Sequence, residues 1–264
     1  MKIRPTLSAC LLSLLVLAIK VSAAEPTKSR ATKPGEYNPQ HRTVDAFEAM
    51  AAGEIEVRVV PKDVTGGKLL VSNKTGEPLN VKIPDAFATV HVLAQLGGSG
   101  VGNQFAGGIG GQAGAGSTGG AGIGNGGGGA GGGGGNFFNV APEKVGELPY
   151  AHVCLEHGKP DPRAAMKYEM RPLETLSTRP EIRELTVMLG NKQVSYRVAQ
   201  IVAWHVANEM SWEELAAKTV TRLGGGSYPY FSAEEMQTAY RLHEHIVKVL
   251  EDSKNVDSLV LPKL

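Results

Sequence analysis

Apolar and polar positions along this chain fall into two regimes. From Ile55 to Leu155 they recur with a period of two, and from Pro180 onward with a helical period. Ile55, Val57 and Val59 alternate with Glu54, Glu56 and Arg58, the pattern of a half-buried strand. Thr65-Gly66-Gly67 predicts a turn, Lys68 to Ser72 a second strand, and Asn73-Lys74-Thr75-Gly76 another turn. Asn73-Lys74-Thr75 also fits a glycosylation acceptor, but a plain turn is the better reading. Leu79, Val81 and Ile83 alternate with Asn80 and Lys82, and Phe87 to Leu96 is apolar on both faces, as in a central strand. Asn136 to Val140 reads as a returning strand, and Val145 to Leu155 as a longer one. Short strands at this spacing predict a small antiparallel sandwich or sheet.

Helices flank this region. Thr43 to Gly53 predicts a short one, with Thr43 as its cap and Gly53 as its end. Pro180 to Gly190 places Ile182, Leu185 and Leu189 on one face, with proline suited to the first position and glycine to the end. Lys192 to Met210 carries a wide apolar stripe. Ser211-Trp212-Glu213-Glu214 and Ser232-Ala233-Glu234-Glu235 are capping boxes that open two more helices. The expected class is therefore α+β: a small antiparallel β part followed by a helical part of about four helices.

The termini and one insertion set the domain plan. Met1-Lys2-Ile3-Arg4, the apolar run Leu7 to Ile19, and Val21-Ser22-Ala23-Ala24 follow the order of a secretory signal peptide spanning 1–23. Residues 24–42 contain Pro26, Pro34 and Pro39 and read as a disordered tether. Residues 43–162 form the β domain with its short helix, and 163–264 the helical domain. Within the β domain, 97–135 holds 23 of the 34 glycines, and no charged side chain occurs between Asp85 and Glu143. Such a tract buries too little apolar surface to offset its chain entropy, so it is expected to be disordered. Its Gly114 to Gly119 run fits the dinucleotide fingerprint only through composition, since no helix pattern follows.

Charge narrows the partners. The leader carries Lys2, Arg4 and Lys20 and no acid, so removing three positive charges turns the formal +1 into −2. A nucleic-acid binder would carry a basic excess. The mature chain has no second apolar run of spanning length, so membrane insertion is not expected. The expected location is secreted, periplasmic or at the cell surface, and the partner a protein or cell-surface component.

Candidate chemistry centres on Cys154, the one cysteine left after the leader. An exported chain with a single thiol has no internal disulfide, and the thiol is a small buried hydrophobe, an interchain link or a reactive group. His152 and His157 flank it, but no further cysteine completes a four-ligand zinc site, so no metal and no cofactor are expected. His243 and His245 are two apart on a helix and face different ways. A cysteine nucleophile with His157 or His205 as base is an alternative, without a hydrolase signature around it.

A second pairing is more specific. Tyr150, Cys154, Glu156, Gly158, Pro160, Pro162 and Tyr168 set the cysteine at a strand end before a Gly-Lys-Pro-x-Pro segment, and Gln200-Ile201-Val202-Ala203-Trp204 lies on a later helix. This resembles the thioester domains of bacterial surface adhesins. The resemblance is local to these residues; the Cys154-to-Gln200 spacing is shorter than that family's, and the glycine tract is foreign to it. It implies a fold with a β part and a helical part. It also implies that the Cys154 sulfur displaces ammonia from the Gln200 side chain, and that the resulting buried thioester acylates an amine on a partner. Trp204 and Tyr168 would exclude water, and His152, His157 or His205 would relay a proton. The pattern of the whole chain is similar to uncharacterised exported proteins of planctomycete-type bacteria, which implies export alone. Three readings thus stand: an adhesion or binding module, covalent through Cys154 and Gln200; a non-covalent matrix protein with an inert cysteine; and a cysteine-dependent hydrolase. The first two are not enzymes.

Overall fold

The structure is a computed structural model that describes residues 31–92, 104–109, 136–222 and 224–260. It is α+β, with a closed six-stranded barrel, a small three-stranded sheet and a helical layer. The leader expected at 1–23 lies outside the described residues, as does most of the glycine tract.

The described chain opens with β1 (Arg42–Asp45) and α1 (Ala46–Ala51). Asp45, not Thr43, caps α1, its side chain accepting from the Phe47 and Glu48 amides, because β1 carries the chain on to Asp45 before the helix starts. Next come β2 (Ile55–Asp63), β3 (Gly66–Asn73), β4 (Leu79–Lys82), β5 (Ala86–His91), β6 (Gln104–Gly108), β7 (Phe137–Val140), β8 (Val145–Cys154) and β9 (Tyr168–Pro172). The barrel runs β2-β3-β8-β6-β5-β9 and closes through the antiparallel β9–β2 pair, Tyr168 opposite Val59. The small sheet runs β1-β4-β7, with β1 parallel to β4. Closure replaces the expected sandwich, and it removes the exposed edges that an open sheet would present.

Three expectations from the sequence change here. Residues 104–109 of the glycine tract are ordered: β6 pairs with β5 and β8, with Phe105 opposite Cys154, and both Phe105 and Ile109, just after the strand, are buried. Residues 31–42 are not a loose tether, since Thr32 bridges to Gly146 and Gly35 to Asn139 along the sheet edges. The barrel is completed by β9, so Tyr168 belongs to it and the β part does not stop at 162. The Asn73 turn is structural. The Asn73 side chain is buried, with its amide donating to the Glu77 and Val140 carbonyls.

The helices are α2 (Pro180–Gly190), α3 (Tyr196–Asn208), α4 (Trp212–Ala217) and α5 (Ala233–Val260), with a two-stranded ribbon of β10 (Thr219–Thr221) and β11 (Ser227–Pro229) between the last two. Both capping boxes form: Ser211 exchanges bonds with Glu214, and Ser232 with Glu235. Among the described residues no helix is long and apolar enough to cross a membrane.

Alternation along the barrel strands divides two cores. Leu148 and Tyr150 of β8, Phe87 of β5 and Phe105 of β6 face the barrel interior. Val153, Ala86 and Ala106 face outward and share a core with Ile182, Leu185, Ile201, Val202 and Ile246 of the helices. The joint is tight where β6 meets α2. A Cβ on Gly108 would stand 2.3 Å from the Thr186 carbonyl oxygen, and one on Gly190 would stand 2.8 Å from the Gly108 carbonyl carbon. Neither neighbour is a flexible side-chain end, so only glycine permits this approach.

Gly108→Ala therefore forces the helical layer off the barrel. The expected cost is about 2 kcal/mol, by analogy with overpacked cores, read as a lowered denaturation midpoint; an unchanged midpoint would show that the joint is looser than described.

Candidate functional site

Strand β8 outruns its neighbour β3, whose pairing with it stops at Ala151, although His152 N–H still reaches the Thr65 carbonyl. On the other side β6 continues to Cys154. Among the described residues, the main chain of Cys154 is thus left with one edge that no strand covers. Gln200 of α3 fills it: its Oε1 accepts from the Cys154 N–H at 2.8 Å, and its Nε2 donates to the Cys154 carbonyl at 2.8 Å. The two bonds explain how a glutamine 1% exposed is tolerated in an apolar layer.

Four residues spaced by four on α3 form one stripe along this strand end: Tyr196, Gln200, Trp204 and Asn208. Tyr196 Oη donates to Gln200 Oε1 at 3.3 Å. Asn208 accepts from the His157 N–H at 3.2 Å and donates to the Leu155 carbonyl at 3.0 Å. Residues 154–157 are therefore strapped to the helix by two side-chain amides. Tyr196 and Asn208 were not singled out from the sequence, although the i, i+4 spacing from Gln200 and Trp204 would have found both.

The Cys154 sulfur lies at the seam of the two cores and donates to the Glu156 carbonyl at 3.1 Å. Burial pushes its pKa up, so the thiol stays protonated at neutral pH. A sulfur nucleophile, whether in a hydrolase or in thioester formation, must shed that proton as it attacks. The indole N–H of Trp204 is turned towards the sulfur and slightly favours its charged form, yet among the described residues this buried donor completes no full hydrogen bond. Tyr168 reaches the site from the barrel side: its ring packs edge-on to Phe105 at 5.8 Å, and its hydroxyl pKa is raised chiefly by burial and then by Cys154.

The three candidate histidines part company. His152 is buried inside the barrel, stacked on Phe105 at 4.5 Å, with Nε2 on the Asp63 carbonyl at 3.0 Å. His205 holds the Met210 carbonyl at 2.7 Å and stacks on Trp212 at 4.1 Å, facing α5. His157 alone of the three is exposed, edge-on to Trp204 at 4.7 Å and bonded through Nε2 to Lys218 Nζ at 2.7 Å. Its pKa is lowered by burial and by the Lys218 charge. No group of three or more metal-ligating side chains occurs among the described residues.

Two outcomes follow. Gln200→Ala strands the Cys154 N–H and carbonyl and should cost about 3 kcal/mol in chemical denaturation. Gln200→Glu should be weaker than wild type at pH 8 and recover as pH falls, because only the protonated carboxyl both accepts and donates; a pH-independent deficit would refute the docking. Burial also lowers the His152 pKa to about 4. The unfolded chain, with an ordinary imidazole near 6.5, then binds the proton first, so stability is full above that value and is lost as pH falls towards 4, by about 3 kcal/mol at the lower end. His152→Leu should flatten that slope in denaturation curves collected from pH 7 to 4.

Comparison of the chain with protein-family models, with curated proteins and with solved structures finds no match in any of the three.

Proposed function

We propose that this chain is an exported surface binding module that attaches to its partner covalently, through a thioester between Cys154 and Gln200. The observation that carries the reading is the setting of Gln200 Oε1, which receives two donors, the Cys154 N–H and the Tyr196 hydroxyl. Attack at the adjacent carbon pushes charge onto that oxygen, and two preoriented donors in a water-poor site stabilise it. The amide grips both peptide groups of the residue that bears the sulfur, which keeps the carbon to be attacked beside the residue that carries the nucleophile.

The chemistry balances without a cofactor. Sulfur bonds to the Gln200 side-chain carbon, the thiol proton leaves with the amide nitrogen as ammonia, and a partner's primary amine later takes the acyl group and returns the thiol. The raised thiol pKa makes sulfur a poor leaving group towards weak nucleophiles such as water. The Trp204 indole and the Tyr168 ring limit water access from either side. The partner is a protein or cell-surface component that presents an amine, met outside the inner membrane. The expected leader supports this compartment, and the −2 charge of the mature chain argues against nucleic acid.

A non-covalent reading has one observation in its favour: the same two hydrogen bonds simply complete a strand edge. Intact-mass measurement separates the two. The covalent reading expects a mature chain lighter by one ammonia, full mass in Cys154→Ala apart from the residue difference, and a methylamine adduct on Gln200. A chain of full mass carrying a titratable thiol and gaining no adduct would sink it.

A further inference from the structure

Beside the candidate thioester, three side chains enclose a cation that belongs to the chain itself. Lys218 Nζ lies 5.3 Å from the Trp204 ring centre and 5.1 Å from that of Tyr230, and it is bonded to His157 Nε2 at 2.7 Å. The Trp204 and Tyr230 rings are 6.0 Å apart and tilted, and His157 stands at 88° to Trp204. Two aromatic faces and one neutral nitrogen acceptor make the chemistry that recognises an alkylammonium group. Lys218 closes α4, and its carbonyl accepts the Tyr230 N–H at 2.7 Å. One wall of the enclosure and its occupant are thus tied together, while Trp204 and His157 come from α3 and from the turn after β8. Trp204 also borders the Cys154 sulfur, so the enclosure opens beside the acyl group that an amine would attack.

We propose that Trp204, Tyr230 and His157 form the receiving site for a partner's lysine-type ammonium, and that Lys218 is a placeholder that fills it until the partner's amine displaces it. The link to acyl transfer rests on the thioester reading; the ammonium site does not. The placeholder has a plain physical use. An intramolecular cation competes at high effective concentration, so weak free amines are turned away and only an amine held by further contacts with the partner gains entry. His157, neutral at pH 7, accepts from whichever ammonium is present.

The test titrates n-butylammonium into wild type, Lys218→Ala and Lys218→Met, following the Trp204 indole N–H by NMR. The Trp212 indole in the same molecule serves as an internal control. Emptying the enclosure in Lys218→Ala should give a saturable Trp204 shift with an apparent Kd about tenfold below that of wild type. Lys218→Met, which refills the space without charge, should show no such gain, and n-butanol should have no effect. Equal responses in wild type and Lys218→Ala, or equal responses to amine and alcohol, would overturn the proposal. A wild-type measurement guards against a misfolded variant. Acetylation of Lys218 should be slower than that of the exposed lysines and should accelerate in butyltrimethylammonium, which occupies the cage but does not consume the reagent. An unaffected Lys218 rate would equally overturn it. A peptide cross-link between Gln200 and Lys218 would show that Lys218 is the acceptor rather than the placeholder. The binding and acetylation readouts do not need the thioester, so a full-mass chain that binds butylammonium only when Lys218 is removed would sink the acyl-transfer reading and leave the ammonium site standing.

Discussion

A strand that runs past its neighbour leaves peptide groups bare, and here one glutamine covers them. The two hydrogen bonds between the Gln200 amide and the Cys154 main chain fix where α3 lies against the end of β8. With that helix fixed, its other polar and aromatic positions fall into register: Tyr196 on the amide oxygen, Trp204 beside the sulfur, Asn208 on the turn that carries His157. The turn after β8 inherits its order from the same contact. His157 is held by its backbone to Asn208 and by its ring to Lys218, so a side chain on an exposed turn acquires a defined position.

The second constraint is the dual allegiance of the barrel wall. Alternate residues of β8 serve the barrel interior and the helical core, and Cys154 ends the strand where both cores meet. This is why the thiol is desolvated although it lies near the surface of the fold. It is also why Tyr168 and Trp204, from opposite layers, both approach it. The close contact of Gly108 with Thr186 and of Gly190 with Gly108 keeps the layers from separating. A site built across a joint depends on the joint.

Local patterns were legible in the sequence, and distant pairings were not. Alternation found β2, β3, β4 and β8, and the serine capping boxes found the starts of α4 and α5, because these signals act over a few residues. Strand β6 was hidden because its sequence, Gln104-Phe105-Ala106-Gly107-Gly108, looks like the tract around it. Its small residues are demanded by contacts that no local pattern reveals: Phe87 leaning on Gly107 and the α2 backbone on Gly108. Barrel closure depends on β9 meeting β2 across more than a hundred residues and leaves no trace in periodicity. Cys154 and Gln200 were paired by resemblance and then met in the structure through main chain to amide. Lys218 and Tyr230 were missed because only the fold brings them to Trp204.

Strand order carries one more consequence. β8 lies between β3 and β6, and β9 between β5 and β2, so the segments before and after the glycine tract interleave around a single barrel. A protease that cut the chain between Ile109 and Asn136 would not release either half. Each fragment supplies strands that complete the other's hydrogen bonding, and the nicked molecule would persist as a tightly interlocked heterodimer with Cys154, Gln200 and Lys218 all on its C-terminal piece.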